Sequence, residues 1–550
     1  MGQEKLRVPL EEIVRGMQVA FWASHTPDAV AIVDGDRAVG FDELNRRANR
    51  LARALRGAGL GVDDVVAIMA RNSAEWAEVA TAVERTGMRL VPVNWHLAAD
   101  EVAYILNDSG ARALFFDTAS ADVAMAAAVD ATALTITRCT SQAVGRPSGY
   151  DEFLSAQEDT NLPDPVFGTR MHYTSGTTGR PKGVWRDRED NTKRFLAAAE
   201  RAGTPGTIDY TPGAHRHLAT GPFYHGAPGL VSLSNPLHAG ITVHLMPKWD
   251  SEVFLRMVAE HRITHTHMVP IMFHRLLMLP EDVRGRYDVS SLESVRHGAA
   301  PCPIHVKARM IEWFGPIIEE YYAATEGAGT TVTSEEWLRK PGTVGKVNPP
   351  GQVRIVGPNG EEVPSGEVGT VYLHGGDKAT FRYFGDETKT KEAFRGDYFT
   401  VGDVGLIDPD GYLFLTDRSI DLIISGGVNI YPAEIESVIA EHPAIRDVAV
   451  VGVPDDEWGE EVWAGIELDL HGRSESDVIR DLRRHCAARL AGYKCPRVFR
   501  VEASLPREAS GKLFKRKLRD QYRQQVHTVP LWRSDGGPEP STQPPDVPEG

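Results

Sequence analysis

The stretch Tyr173-Thr174-Ser175-Gly176-Thr177-Thr178-Gly179-Arg180-Pro181-Lys182-Gly183-Val184 decides how this sequence is interpreted. Its glycines allow the backbone to approach a ligand closely. Its Ser and Thr hydroxyls can donate hydrogen bonds, and Lys182 adds a positive charge. Together these groups suit a polyphosphate. The pattern is not a P-loop, which requires G-x-x-x-x-G-K-[ST]. The alternative interpretation is a Gly- and Thr-rich surface turn.

The sequence before this stretch alternates between helical and strand patterns. Apolar residues in the segment 41–60 recur at steps of four, three and four, which predicts one apolar face of a helix. The apolar runs 65–70, 90–93 and 113–117 predict buried strands between helices. This alternation predicts an α/β fold in which helices cover parallel sheets.

Composition excludes several classes of protein. The chain has 550 residues, enough for two to four domains, and 60 Lys and Arg against 76 Asp and Glu give a net charge of −16. An acidic chain argues against nucleic-acid binding. The sequence has no apolar run long enough for a transmembrane helix, and its first residues do not resemble a secretory signal. Its four cysteines lack CxxC spacing, which favours reduced thiols. We therefore expect a cytoplasmic protein with neither a membrane anchor nor a nucleic-acid partner.

The C-terminal part predicts a second, smaller domain. The segment 447–455 predicts a strand, and 474–490 predicts a helix that begins with a capping box at Ser474. The last residues are rich in Pro and Gly with almost nothing to bury, which is typical of disorder. The predicted division is a large domain over 1–417, a small α+β domain over 418–530 and a disordered tail over 531–550.

The segment 173–184 resembles the core motif of the adenylate-forming superfamily, which includes acyl-CoA synthetases, peptide-synthetase adenylation domains and luciferases. Further family motifs follow in the same order, so the resemblance covers about residues 20–525. It is closest to stand-alone fatty or aryl acid–CoA ligases. It implies a large domain of helix-covered sheets, which binds ATP and the acid, and a small mobile C-terminal domain. The resemblance implies nucleotide binding by Thr174, Ser175, Gly176, Thr177, Thr178, Gly179 and Lys182, with Thr178 also catalytic.

The segment 319–327, EEYYAATEG, resembles the family's Tyr-Gly-x-Thr-Glu motif. An aromatic ring offers a base a stacking face, and a carboxylate four residues later is a hard ligand for Mg²⁺. The resemblance implies that Tyr322 packs on adenine, that Thr325 contacts phosphate, and that Glu326 holds Mg²⁺ and acts in catalysis. Ala323 replaces the usual Gly, and we expect its methyl group to narrow the acyl pocket.

Two further motifs resemble the remainder of the family's nucleotide site. Residues 297–301, HGAAP, resemble the strand end that flanks adenine. Asp403 lies in a GDVG segment and is followed at a distance by Asp417-Arg418, which resembles the ribose-binding pair. A carboxylate can accept hydrogen bonds from both ribose hydroxyls. The residues that these motifs add to the predicted nucleotide site are Gly298, Ala299, Ala300, Asp403 and Arg418.

The C-terminal motifs imply two half-reactions. Residues 506–517 resemble the motif that carries the adenylation lysine, here Lys512, which would also contact the nucleotide. A preorganised ammonium stabilises the charge that builds as a carboxylate attacks the α-phosphate. The segment 425–436 resembles the thiolation motif, and the small domain of the family rotates to bring it to the site. The hinge position, usually Asp or Lys, is Ile420. The residues implied to line the CoA tunnel are Ser425, Gly426 and Gly427.

The motifs that point to the acyl-binding part of the site are less specific than those for the nucleotide. Residues 221–229 resemble the segment that gates the carboxylate site, which assigns the gating and a catalytic role to His225. The segment 265–277 is predicted to be a loop with an adaptable, Met-rich wall. His265 and His267 form an H-x-H pattern without a visible third ligand, so packing is favoured over a metal site. The predicted acyl-pocket residues are His225, Met268, Ala323 and Gly327.

The sequence thus predicts an Mg²⁺- and ATP-dependent acid–CoA ligase that forms acyl-AMP and pyrophosphate, then acyl-CoA and AMP. Its expected partners are an aliphatic or aryl carboxylic acid, ATP and CoA. One alternative, compatible with Ile420 and Ala323, is an adenylating enzyme that uses a carrier protein or amine as acceptor or activates an unusual oxyanion. Another is a catalytically silent nucleotide or acyl sensor, against which Lys512 and Glu326 argue. The sequence leaves the identity of the acid and the oligomeric state open.

Overall fold

The computed structural model describes most of the chain, and its strands form five sheets within the described residues. The described residues are 6–141, 149–174, 181–200, 208–347, 349, 351–375, 381–418, 421–425, 428–455, 458–470, 472–507, 511, 513–525 and 532–533.

The largest sheet has eight strands, with parallel pairing through its middle and an antiparallel strand at each edge. Parallel strands end at the same edge of a sheet, so the segments that follow Ala219, Met268, His297 and Ala323 lie close together. In spatial order the strands are Ala328–Val332, Ile318–Ala323, Ser294–His297, His265–Met268, Arg216–Ala219, Thr242–Leu245, Val30–Asp34 and Arg37–Gly40.

A second, fully parallel sheet contains the strands predicted in the N-terminal part. The runs 65–70, 90–93 and 113–117 are confirmed as strands, and the predicted helix is confirmed as Phe41–Gly57. Both sheet faces are buried, which explains the continuous apolar runs. In spatial order the strands are Ile136–Cys139, Ala111–Phe116, Val65–Met69, Arg89–Pro92 and Thr169–Arg170.

Two antiparallel sheets complete the part of the chain before residue 420. One is a small sheet that contains the hairpin around the Gly- and Thr-rich stretch, with strands Arg382–Tyr383, Lys182–Trp185 and His172–Thr174. The other has seven strands, which are Gly345–Lys346, Tyr412–Arg418, Asp403–Ile407, Gly369–His374, Tyr398–Phe399 and Phe394–Arg395 in spatial order, with Val353–Val356 paired to Gly369–His374.

The fifth sheet belongs to the C-terminal part. The predicted strand 447–455 is confirmed within Ile445–Asp455, and the predicted helix is confirmed as Glu475–Ala487 with Ser474 as its N-cap. Trp532–Arg533 pairs with Val498–Val501, although both residues fall within the predicted disordered tail. The domain division itself stays a prediction, and the tail from 534 onward lies outside the described residues. The other strands are Ile423–Ser425, Val428–Ile430 and Gly459–Leu468.

One sequence expectation about local structure is wrong: the segment 265–277 is not a loop. It forms the strand His265–Met268 and the helix Pro270–Leu277, because its first residues continue the parallel sheet and Pro270 suits the first helical turn. None of the helices among the described residues is long and apolar enough to cross a membrane.

The remaining helices cover the sheets. Pro228–Ser234 is π-helical, and Gly492–Lys494 is a 3₁₀ turn. The other α-helices are Leu10–Ile13, Gln18–His25, Ala74–Glu84, Ala99–Ser109, Ala121–Val129, Gly149–Ser155, Arg188–Glu200, Asn235–His238, Ser251–His261, Glu281–Arg284, Ile304–Phe314, Ser334–Arg339, Glu387–Ala393, Pro432–Ala440 and Lys515–Gln525.

Candidate active site

A cleft of about 2770 Å³ collects most of the described residues that the sequence singled out. It opens at the edge where the central strands of the eight-stranded sheet end, and the C-terminal part supplies Gly511, Leu513 and Phe514 to its lining. The predicted site residues that line it are Thr174, Lys182, His225, Met268, Ala299, Ala300, Tyr322, Ala323, Thr325, Glu326, Gly327 and Asp403.

The two ends of the Gly- and Thr-rich stretch are held together by a hairpin. Thr174 and Lys182 are register partners in antiparallel strands, so the stretch between them connects adjacent strand ends. Arg382–Tyr383 pairs with the second of these strands and brings Tyr383 beside it. Several predicted residues lie outside the described ones, namely Ser175, Gly176, Thr177, Thr178, Gly179, Ile420, Gly426, Gly427 and Lys512.

Lys182, Tyr383 and Glu326 form a compact group in the cleft. The Tyr383 hydroxyl donates to Glu326 Oε1 at 2.9 Å, and Lys182 Nζ lies 4.8 Å from the centre of the Tyr383 ring. Burial lowers the pKa of Lys182, and the nearby Lys389 adds to this shift. Burial and the neighbouring Glu326 raise the pKa of Tyr383, so the phenol stays protonated and holds the carboxylate. No local sequence pattern points to Tyr383.

Hydrogen bonds from Arg186 fix the backbone at Glu326. Arg186 Nη2 donates to the carbonyl oxygens of Thr325 at 2.7 Å and Glu326 at 2.5 Å. A buried carboxylate near Lys182, which is predicted to bind phosphate, fits Mg²⁺, which takes one or two protein carboxylates and completes its shell with phosphate and water. Among the described residues, no group of three or more His, Cys, Asp and Glu forms a self-sufficient metal site.

Tyr322 and Asp403 form a second buried pair. The Tyr322 hydroxyl donates to Asp403 Oδ2 at 2.6 Å. The Tyr322 ring covers Gly329, where a Cβ atom would lie 2.6 Å from the ring. Asp403 is the register partner of Arg418, whose side chain is not described, so the backbone brings the predicted ribose-binding residues side by side. The pair joins the predicted adenine and ribose positions into one site.

The segment after the strand Ser294–His297 follows the cleft edge closely. A Cβ atom at Gly298 would lie 2.6 Å from the Tyr321 carbonyl oxygen, so only glycine fits without a shift of the backbone. Ala299 has φ of +66° and is exposed in the cleft. Gly298 itself does not line the cleft, because it is buried under Tyr321.

His225 lies three residues before the π-helical segment Pro228–Ser234, beside a second histidine that was not among the predicted site residues. Its ring centre is 4.5 Å from that of Tyr224, and a Cβ atom at the next residue, Gly226, would lie 3.9 Å from the His172 ring. Burial lowers the pKa of His172 to about 3, with Arg170 and His225 contributing. His172 is therefore neutral near pH 7.

The other residues predicted for the acyl pocket have mixed environments. Met268 is fully buried in a core cluster, and Ala323 is exposed in the cleft. Gly327 packs against Phe399, where a Cβ atom would lie 2.6 Å from the ring. The roles of these residues stay predictions. Ser425 lies in the strand Ile423–Ser425 and does not line the cleft.

Comparison with known proteins agrees with this fold. The family of AMP-binding enzymes matches residues 19–382, and the AMP-binding enzyme C-terminal domain matches residues 434–512. The chain therefore belongs to the adenylate-forming superfamily and has its fold, a large N-terminal domain with a small C-terminal domain. It is an adenylate-forming ligase.

Individual relatives cover nearly the whole chain. The fatty acid–[acyl-carrier-protein] ligase ScoC of Streptomyces coeruleorubidus is 33% identical over 512 residues, which are 92% of this chain and 95% of ScoC. A feruloyl-CoA synthase of Amycolatopsis sp. is 34% identical over 517 residues, 91% of this chain and 97% of the relative. The crystal structure of ATP-bound MatB from Rhodopseudomonas palustris has a TM-score of 0.76 and 27% identity, and covers 92% of this chain and 99% of MatB.

Proposed function

We propose that this chain is a cytoplasmic, Mg²⁺- and ATP-dependent ligase that joins an aliphatic or aryl carboxylic acid to CoA. The observation that carries the proposal is the arrangement of Lys182, Glu326 and the Tyr322–Asp403 pair around one cleft. The ATP-bound state of MatB and the activities in the names of ScoC and the feruloyl-CoA synthase support it.

In the first half-reaction, a carboxylate oxygen of the acid attacks the α-phosphorus of ATP, and the bond to pyrophosphate breaks. Lys182 faces the phosphates, and Asp403 accepts hydrogen bonds from the ribose. Glu326, fixed by Tyr383 and Arg186, would hold Mg²⁺, which neutralises phosphate charge when bound.

The lysine proposed for this step is Lys512. Its neighbours Gly511 and Leu513 line the cleft, and a Cβ atom at Gly511 would lie 2.6 Å from the Ile271 side chain of the large domain. An ammonium at this position would stabilise the charge on the α-phosphate. In the second half-reaction the CoA sulfur attacks the acyl carbon and AMP leaves. Because Ser425 does not line the cleft here, its role in the CoA tunnel requires rotation of the small domain.

The experiment is a screen for pyrophosphate release with fatty, benzoic, cinnamic and amino acids, with and without CoA. Acid-dependent release and CoA-dependent thioester formation are expected. Lys512→Ala should lose adenylation by about 10²–10³-fold but retain thiolation of supplied acyl-AMP. The exposed Lys517→Ala, five residues later, is the matched control and should keep both activities. Equal loss of both half-reactions in Lys512→Ala would contradict the two-conformation mechanism.

A second acceptor deserves the same assay because ScoC is a ligase for an acyl carrier protein. In that case the pantetheine thiol of a carrier protein replaces CoA, while the adenylation step is unchanged. CoA and a pantetheinylated carrier protein are compared as stimulators of AMP release. If the carrier protein stimulates AMP release and CoA does not, the acceptor is a carrier protein and not CoA.

A further inference from the structure

One face of the eight-stranded sheet is polar where it meets the cleft. His267 is the register partner of Arg296, which is the register partner of Glu319. Side chains alternate along a strand, so Tyr321 shares this face with them. His267, Arg296 and Tyr321 line the cleft. The polar side chains on three adjacent strands therefore form a continuous wall.

The members of this wall bind one another. His267 Nε2 and the Tyr321 hydroxyl are 2.8 Å apart, and Arg296 Nε donates to Glu319 Oε2 at 2.9 Å. The Tyr321 ring is also fixed against Gly298, where a Cβ atom would lie 2.7 Å from it. The hydroxyl of Tyr321 thus has a defined position.

The wall is polar but its charges cancel. Burial, with Arg296 nearby, lowers the pKa of His267 to about 4, so the imidazole is neutral near pH 7. The Arg296 charge is offset by Glu319. A phenol hydroxyl can donate one hydrogen bond and accept another, so Tyr321 can serve a second partner besides His267. This chemistry suits a neutral hydrogen-bonding group better than a second carboxylate.

Some of the other residues that line the cleft are apolar. The helix Arg188–Glu200 supplies Phe195, and the π-helical segment supplies Leu230 and Val231. A site with apolar and polar walls fits an aromatic ring that carries a polar substituent. A saturated alkyl chain packed against the polar wall would exclude water and leave the Tyr321 hydroxyl without a second hydrogen-bond partner.

We propose that His267 and Tyr321 are specificity-determining residues, and that they select an aryl carboxylic acid with a neutral hydrogen-bonding substituent such as a phenolic hydroxyl. The inference rests on the proposed ligase function and narrows its substrate class.

The test compares 4-hydroxycinnamate, cinnamate and decanoate by kcat/KM for pyrophosphate release. The hydroxylated acid should be preferred over the other two. Tyr321→Phe should lower the ratio of kcat/KM for 4-hydroxycinnamate to kcat/KM for cinnamate about 10-fold or more. Tyr210→Phe is the matched control, because Tyr210 is also buried and contacts His217 at 3.2 Å but does not line the cleft. It should leave the ratio unchanged.

Preference for decanoate, or an unchanged ratio in Tyr321→Phe, would overturn the inference and leave the ligase function standing. A binding titration of the same acids tests the selective wall independently of the ligase function. If no acid supports pyrophosphate release, the ligase function fails. Tighter binding of 4-hydroxycinnamate than of cinnamate, lost in Tyr321→Phe, would then still support the selective wall, and equal binding of the two acids would contradict it.

Discussion

Ala299 adopts a backbone conformation that side chains rarely tolerate. Its φ of +66° lies in the left-handed region, which costs a non-glycine residue about 1–2 kcal/mol. Such residues occur at functional sites, where surrounding structure holds them in place. Here the fixed neighbour is Gly298, packed under Tyr321, and the strained residue lines the cleft.

Ala299→Gly should therefore raise the free energy of unfolding by about 0.5–1 kcal/mol, because relief of strain exceeds the added entropy of the unfolded chain. Urea denaturation measures the difference. Ala300→Gly is the matched control, since Ala300 does not have positive φ, and it should not stabilise the protein. A loss of stability in Ala299→Gly would show that the conformation is not strained.

At the scale of elements, the segment that carries Lys512 is anchored to the longest strand of the C-terminal sheet. Arg507 Nε and Nη2 donate to the two carboxylate oxygens of Asp447, each at 2.6 Å. Its Nη1 donates to the carbonyl oxygen of Gly511 at 2.7 Å. Arg507 also forms an isolated bridge with Leu513. The guanidinium thus connects the strand Ile445–Asp455 with the residue that precedes Lys512.

Arg507→Ala should slow pyrophosphate release by about 10–100-fold, because misplacement of a catalytic group by about 1 Å can cost 10²-fold. Thiolation of supplied acyl-AMP should change little, a separation that general unfolding would not produce. Asp447→Ala should have a similar effect, and the double variant should be no worse than either single one. Arg480→Ala removes an exposed Arg–Asp pair at 3.1 Å in the same domain and serves as the control. Parallel loss of both half-reactions would contradict a positioning role.

At the scale of the whole molecule, buried histidines make stability depend on pH. Burial, with His215 and Arg296 nearby, lowers the pKa of His265 to about 3. Burial also lowers the pKa of His217 and His297 well below the usual value. Below pH 6.5 the unfolded chain binds protons that these folded side chains do not accept. Their contribution to stability is complete above that pH and is lost as the pH falls.

We expect the free energy of unfolding to fall between pH 6.5 and 4, with each such histidine contributing up to about 1.4 kcal/mol per pH unit. His265→Gln should reduce this slope by about that amount. His96→Gln, at an exposed position, should leave it unchanged. Chemical denaturation at several pH values measures the slopes, and equal slopes for wild type and His265→Gln would contradict this origin.

The structural features that could be predicted from the sequence are those that depend on residues close together in the chain. The helix Phe41–Gly57 and the strand Val65–Met69 follow from local apolar patterns. The loop prediction for 265–277 is wrong because a short apolar run does not by itself distinguish a loop from a strand followed by a helix. The bond between Tyr383 and Glu326 joins residues 57 apart, and no local pattern announces it.

The sequence by itself determined the family and the two-part fold, and it predicted the main nucleotide-binding residues, because contiguous motifs carry the backbone flexibility, hydroxyls and charges that ATP requires. The tertiary structure decided which side chains hold those residues and which polar side chains line the cleft beside them. His267 and Tyr321 are 54 residues apart and become partners because parallel strands place them on one face of a sheet. Long-range register of this kind depends on the packing of the whole sheet, so the sequence around either residue does not reveal it.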